Sequence, residues 1–164
     1  MVARRIRLWP DPVLSVPCAP ADPNDPELRA LVEDLFDSMY AAKGRGLAAP
    51  QIGVSTSVFV VDVTWKEGPR DPRVFINPTI ADVSEDMNVM DEQCLSIPDL
   101  PMPVTRPDRV TLQWQTLEGA ARSKQFDGIL ARCILHENDH LMGRVIFDHQ
   151  SPAARADLEA RYAP

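Results

Sequence analysis

The chain is short of the residues that staple a fold, span a membrane or cradle a phosphate. Its three cysteines, Cys18, Cys94 and Cys133, are an odd number without framework spacing, which excludes a disulfide-built domain and fits a reducing compartment, the cytoplasm. No apolar run approaches the ~18 residues needed to cross a bilayer. The arginines before Met1 to Pro12 ends lead into Trp9-Pro10-Asp11-Pro12 instead of an apolar stretch, so neither a membrane span nor a secretory signal is expected. Positive charge is in deficit: 17 Lys and Arg stand against 24 Asp and Glu, for a formal charge of −7. No basic stripe departs from that average, so no nucleic-acid footprint is expected, and partners are sought among small molecules and peptides. Glycine is scarce at seven residues, and no Gly-Lys-Ser/Thr follows a strand, so the usual phosphate loop is absent.

Proline is abundant, at 16 of 164 residues, which predicts many fixed turns and limits helix. A chain of this length buries about two-thirds of its unfolded surface, most simply as one domain over residues 1–164. Residues 4–24 read as an extended, proline-punctuated arm wrapped on the body. Asp25-Pro26-Glu27 supplies an N-cap, a first-turn proline and an acid, and Leu28, Leu31, Val32, Leu35, Phe36 and Met39 follow at helical spacing, predicting an amphipathic helix over 26–42. β-Branched runs predict strands over 56–63 and 73–78, with a third over 80–83. Residues 84–91 are acidic and weakly patterned. Residues 109–115 alternate as a half-buried strand that turns at Leu117-Glu118-Gly119-Ala120 into a partner over 121–126. Asp127 then opens a helix closed by Gly143, and a short helix over 153–162 ends the chain. These elements predict an α+β fold: small, mostly antiparallel sheets packed around a central helix, with an amphipathic helix near the amino terminus.

Histidine is scarce and informative. Of three, two lie in His136-Glu137-Asn138-Asp139-His140, mid-way along the predicted helix. Spacing of i and i+4 aims both imidazoles off one face at one metal ion, and Glu137, about 100° further round than His136, reaches a water on that ion. The pattern suggests metal-assisted hydrolysis. A catalytic divalent site needs a third protein ligand and an open position; Cys18, Cys94, Cys133, His149 or a carboxylate are the choices. Cys133, beside Ile134 and Leu135, reads as core. Cys94 has three readings, a small buried hydrophobe, a nucleophile or the third ligand; taken alone the buried reading is favoured, and the neighbouring histidine pair shifts the balance toward the ligand. The small residues from Gly44 to Gly53 serve either as a helix C-cap with a packed loop or as a loop that presents its backbone and the Gln51 amide to a substrate.

Three motifs in order resemble the peptide deformylase family. Gly44-Arg45-Gly46-Leu47-Ala48-Ala49-Pro50-Gln51 matches G-x-G-x-A-A-x-Q throughout, Glu92-Gln93-Cys94-Leu95-Ser96 matches E-G-C-L-S in four of five positions, and Leu135-His136-Glu137-Asn138-Asp139-His140 matches Q-H-E-x-D-H in all but the first. The resemblance implies that Cys94, His136 and His140 bind one divalent ion, Fe²⁺ natively with Zn²⁺ as a fitting substitute. It implies Glu137 as acid and base, Gln51 and the Leu95 backbone N–H as the oxyanion site, and Gly46, Arg45 and Gln93 as substrate contacts. The substrate implied is a formylated peptide, met transiently at the ribosome. Glu92 and Asp139 are expected to orient the liganding imidazoles or to pair with a cation such as Arg106. Arg45, Gln93, Leu135 and Pro101 depart from the family pattern, and all four are expected on the substrate side, where they would shift substrate preference or leave a metal- or peptide-binding relative without turnover. A general zinc protease is the rival from another class, but its third ligand is expected downstream of the helix, whereas Cys94 lies upstream.

Overall fold

A computed structural model describes residues 3–162. The amphipathic helix forms as its caps dictate: α1 spans Pro26–Ala41, with the Asp25 carboxylate accepting from the Glu27 N–H at 2.9 Å and Pro26 in the first turn. Its apolar stripe, Leu28, Leu31, Leu35 and Met39, lies on one face of a sheet built from β1 (Gly46–Ala48), β2 (Val58–Val61), β3 (Arg73–Val83), β6 (Arg109–Gln115) and β7 (Ala121–Asp127), in the order β1-β2-β3-β6-β7 with every pairing antiparallel. The second helix, α2 (Gly128–Leu141), covers the other face with Ala131, Ile134, Leu135 and Leu141. Strand β2 shows why both layers adhere: Val58 and Val60 join the α1 cluster while Phe59 and Val61 join the α2 cluster, the two-residue alternation of a strand buried on both sides.

A separate hairpin, β4 (Met87–Cys94) with β5 (Ile97–Pro107), closes α2 from outside. Its inner face, Cys94, Ile97, Leu100, Met102 and Val104, packs with Leu14, Ile146, Phe147 and Leu158 of α3 (Pro152–Arg161). Helix α2 is therefore central between two antiparallel sheets, as the sequence predicts.

Two expectations need correction. The acidic stretch 84–91 is mostly strand, β4, paired with a proline-rich partner. The strands expected over 73–78 and 80–83 are one strand, β3, whose ladder is irregular around Asn77, a residue in the left-handed region at φ 51°. The Asn77 side chain compensates locally, accepting from Ala21 N–H at 2.8 Å and donating to the Ala21 carbonyl at 2.8 Å. Asp127 does occupy the N-cap position of α2, without a side-chain capping bond. Gly143, at φ 76°, closes α2 where a Cβ would meet Ser15 backbone at 2.9 Å. The amino-terminal arm ties the site-bearing segments together, Arg7 N–H donating to the Gln51 carbonyl at 2.7 Å and Trp9 N–H to that of Ser96 at 2.9 Å. No helix among the described residues is long and apolar enough to cross a membrane.

Candidate active site

The site arises where a strand period meets a helix period. Glu92 and Cys94, two apart on β4, share its inner face some ~7 Å apart, and His136 and His140, four apart on α2, share one helix face some ~6 Å apart. The two pairs therefore face each other in register. Glu92 Oε1 accepts from His136 Nδ1 at 2.8 Å, and Cys94 Sγ lies 3.4 Å from His140 Nε2. One ligand atom from each of Cys94, His136 and His140 falls within 4.8 Å of the others. His149, Cys18 and Cys133 stand outside this cluster.

The electrostatics suit a cation. Burial pushes the Cys94 thiol up, but the facing His140 and His136 outweigh it and hold the group well below the ordinary thiol range, as thiolate. Burial pushes His136 down, and its partners Cys94 and Glu92 reverse this and hold it well above the usual imidazole range. Surroundings that favour a proton there favour a metal ion in its place.

Behind His136 lies a buried charge network. Glu92 also accepts from Arg106 Nε at 2.6 Å and Nη2 at 2.9 Å, and from Arg132 Nη1 at 2.5 Å. Burial raises its carboxyl, yet the hydrogen bonds and charges of His136 and Arg106 win and hold it well below the usual carboxylate range. Arg106 Nη1 reaches Asp139 Oδ2 at 3.0 Å. The expectation that Glu92 orients an imidazole and pairs with Arg106 describes this arrangement; Asp139 pairs with Arg106 as well. Arg132 was not anticipated, although an arginine in the apolar stretch Ile129 to Leu135, four residues before His136, signals a buried acid on that face.

On the other side, Gln51 is 1% exposed and its amide is oriented by its partners. Oε1 accepts from Ala48 N–H at 3.0 Å, which turns Nε2 toward Ser96 Oγ at 3.1 Å and Cys94 Sγ at 3.7 Å. Ser96 is thus a support that sequence reading did not single out. Burial pushes the Glu137 carboxyl up, and its Oε1 has no hydrogen-bond partner among the described residues. Gly46, Gln51, Cys94, Leu95, His136 and Glu137 all line one open cleft of about 560 Å³, together with Arg45 and Gln93.

Three expectations shift here. Cys133 is not simple core: it lines the cleft, with Sγ 3.6 Å from the Arg45 carbonyl, because it lies one turn before His136 and Glu137 on the same face, and burial keeps it a thiol. Leu135 is not on the substrate side. One residue from His136, it turns about 100° away, into the core beside Phe59 and Phe75, at 6% exposure. Pro101 also lies outside the cleft lining, on the outward face of β5.

A model of the polypeptide deformylase family matches residues 3–156. The chain belongs to that family. Relatives named peptide deformylase include one from Acidobacterium capsulatum, 44% identical over 161 residues that cover 98% of this chain and 94% of the relative, and one from Novosphingobium aromaticivorans, 39% identical over 174 residues covering 94% and 93%. The peptide deformylase of Ehrlichia chaffeensis, solved in complex with actinonin, superposes with a TM-score of 0.91 at 33% identity, covering 98% of this chain and 96% of that one. The Thermotoga maritima enzyme does so at 0.85 and 36%, covering 93% and 100%. The family is one of metal-dependent hydrolases, and this deformylase-family chain is an enzyme of that kind.

Gly46 offers a test of how tightly the deformylase cleft is built. A Cβ there would lie 2.6 Å from Glu137 Oε2 and 2.8 Å from Cys133 Sγ. If the Glu137 carboxylate carries the proton transfer, Gly46→Ala is expected to keep its fold by thermal melt but to lose about 100-fold in kcat/KM, the cost of moving a reacting group by about 1 Å. Adding Cys133→Ala should not restore the rate, since the carboxylate contact remains; parental kinetics in Gly46→Ala would show that Glu137 is not held where activity needs it.

Proposed function

We propose that this enzyme hydrolyses the N-formyl group of formyl-methionyl and related formylated peptides, releasing formate and a free α-amino group. The observation that carries the reading is the convergence of Cys94, His136 and His140 beside a buried Glu137 whose Oε1 is unpartnered, with Cys94, His136 and Glu137 lining an open cleft. One thiolate and two imidazoles fit a borderline-soft divalent ion and leave it a fourth position; we assign Fe²⁺ as the native ion, with Zn²⁺ fitting the same donors. Cys94, His136 and His140 would hold it. When bound, the ion supplies Lewis acidity, which brings water's pKa toward about 7 and polarises a carbonyl.

The chain's own residues do the rest. Glu137 removes a proton from the water that adds to the formyl carbon, then delivers it to the departing amine nitrogen as the C–N bond breaks. Burial raises its carboxyl above the ordinary carboxylate value, which strengthens it as a proton acceptor. Gln51 Nε2, aimed by the Ala48 N–H on its Oε1, and the Leu95 backbone N–H receive the charge that develops on the formyl oxygen. We place the reaction in the cytoplasm, on nascent chains met transiently at the ribosome, in keeping with three free thiols.

Release of formate from formyl-Met peptides by anaerobically purified, Fe²⁺-loaded protein tests the reading directly; metal-loaded protein without formate release would make it a binding relative.

Substrate preference is where this chain departs from its family. Arg45 and Gln93 flank the cleft, and Arg45 is tethered to Glu67 with its Nε buried and unpartnered. Such a guanidinium narrows the entrance for an apolar side chain. Arg45→Leu is expected to raise kcat/KM for formyl-Met peptides about fourfold, the equivalent of the ~0.8 kcal/mol of one buried methylene. An unchanged ratio across peptides differing in the first side chain would remove Arg45 from the specificity argument.

A further inference from the structure

His149 takes no part in the ligand cluster or the cleft, yet it terminates the charge network behind His136. Its Nε2 lies 2.7 Å from Asp139 Oδ2, the oxygen that also accepts from Arg106 Nη1 at 3.0 Å. All three guanidinium nitrogens of Arg106 are thereby engaged, Nε and Nη2 by Glu92 and Nη1 by Asp139. Glu92 in turn fixes His136 Nδ1 at 2.8 Å. We propose that His149 is a positioning residue for the metal site: its Nε2–H, donated to Asp139, locks a chain of hydrogen bonds through Arg106 and Glu92 that fixes the imidazole of His136. The proposal rests on the reading of Cys94, His136 and His140 as the metal ligands.

Charge explains why the chain needs a far end. Glu92 alone faces two guanidinium groups, Arg106 and Arg132, so a second carboxylate is required to balance them; Asp139 supplies it. Asp139 is less enclosed, its side chain 14% exposed against 6% for Glu92. Left with one donor, its carboxylate is free to rotate toward solvent, taking the Nη1 restraint from Arg106 and with it one of the forces that set the Glu92 plane. A second donor on the same oxygen opposes that rotation. Hydrogen bonds between ionised partners are both stronger and more directional than neutral ones, so orientation carries along the chain.

The segment bearing His149 is itself pinned. It lies on a 3-10 turn over Ile146–His149, where Asp148 accepts from Val145 N–H at 2.8 Å and from Arg155 of α3 at 2.7 Å. Phe147 is fully buried with Trp9 and Tyr162 against its ring, and Gln150 Nε2 donates to the Pro103 carbonyl of β5 at 2.8 Å. The carboxy-terminal helix, which carries no chemistry of its own, thus holds the far end of the metal-site support.

The test uses Co²⁺ as probe, because its thiolate and ligand-field absorption bands report ligand geometry. His149→Phe keeps the ring volume without a donor; His149→Gln keeps an N–H near the Nε2 position. With Co²⁺ loaded, His149→Phe is expected to lose metal to excess chelator about three- to tenfold faster than the parent, below the roughly 10- to 100-fold known for direct partners of a ligand, and to shift the absorption bands. His149→Gln is expected to return both toward parental values. Metal-free melting curves check folding. Parental loss rates and spectra in His149→Phe, or a glutamine variant no better than phenylalanine, overturn the proposal. A parent protein that binds no Co²⁺ overturns the ligand assignment itself, and the positioning role with it.

Discussion

Glu137→Gln is expected to retain one equivalent of metal and lose hydrolysis by about 10²- to 10⁴-fold in kcat, the range of a removed general acid and base. The substitution is nearly isosteric in a side chain that is 4% exposed, so packing is preserved. The amide cannot carry the proton from water to the leaving nitrogen. Stability should not fall with activity. Burial raises this carboxyl above its unfolded value, so above that unfolded value ionisation of Glu137 works against the fold, and a neutral amide removes the opposition. Metal analysis, formate release and a thermal melt of the metal-free protein together check the result. Parental turnover would move the proton-transfer role elsewhere; loss of metal would mean that Glu137 belongs to the ligand set.

The central helix and its histidine face were legible because they depend on local periodicity. Two histidines at i and i+4 define a face wherever the helix sits, and the Asp25-Pro26-Glu27 start of α1 is decided by backbone groups within one turn. The hairpin that delivers Cys94 was not legible, because proline ordinarily argues against a strand. Pro98, Pro101, Pro103 and Pro107 all lie in β5. They are tolerated because that strand pairs with β4 alone, in a two-stranded sheet with an open edge, and successive residues of an antiparallel strand turn their N–H groups to opposite edges. Leu135 was misplaced for a different reason. A motif aligned residue by residue carries no direction, whereas a helix turns each neighbour about 100°, so the position next to His136 faces the core. His149 was visible only as a spare histidine, since nothing local links it to Asp139 ten residues earlier.

Cys94→Ala should abolish metal binding while leaving a folded chain. Register makes this residue irreplaceable: only positions two apart on β4 meet positions four apart on α2, and a slip of one residue would present Gln93 in place of Cys94. Its neighbours cannot substitute. Gln51 is committed to Ala48 and Ser96, Glu92 to two arginines and His136, and Cys133 stays a thiol under burial. Two imidazoles remain, and affinity is expected to fall by more than the ~100-fold that bounds the loss of an outer partner, so dialysed protein should carry little metal and release no formate. The structural cost is small, since one sulfur is removed from a hydrophobic cluster, about 1 kcal/mol on the scale of a buried methylene. Metal content by elemental analysis, beside far-ultraviolet circular dichroism, separates the two effects. A folded, fully loaded Cys94→Ala protein would reject the ligand set, and with it both the proton-transfer role of Glu137 and the support that runs out to His149.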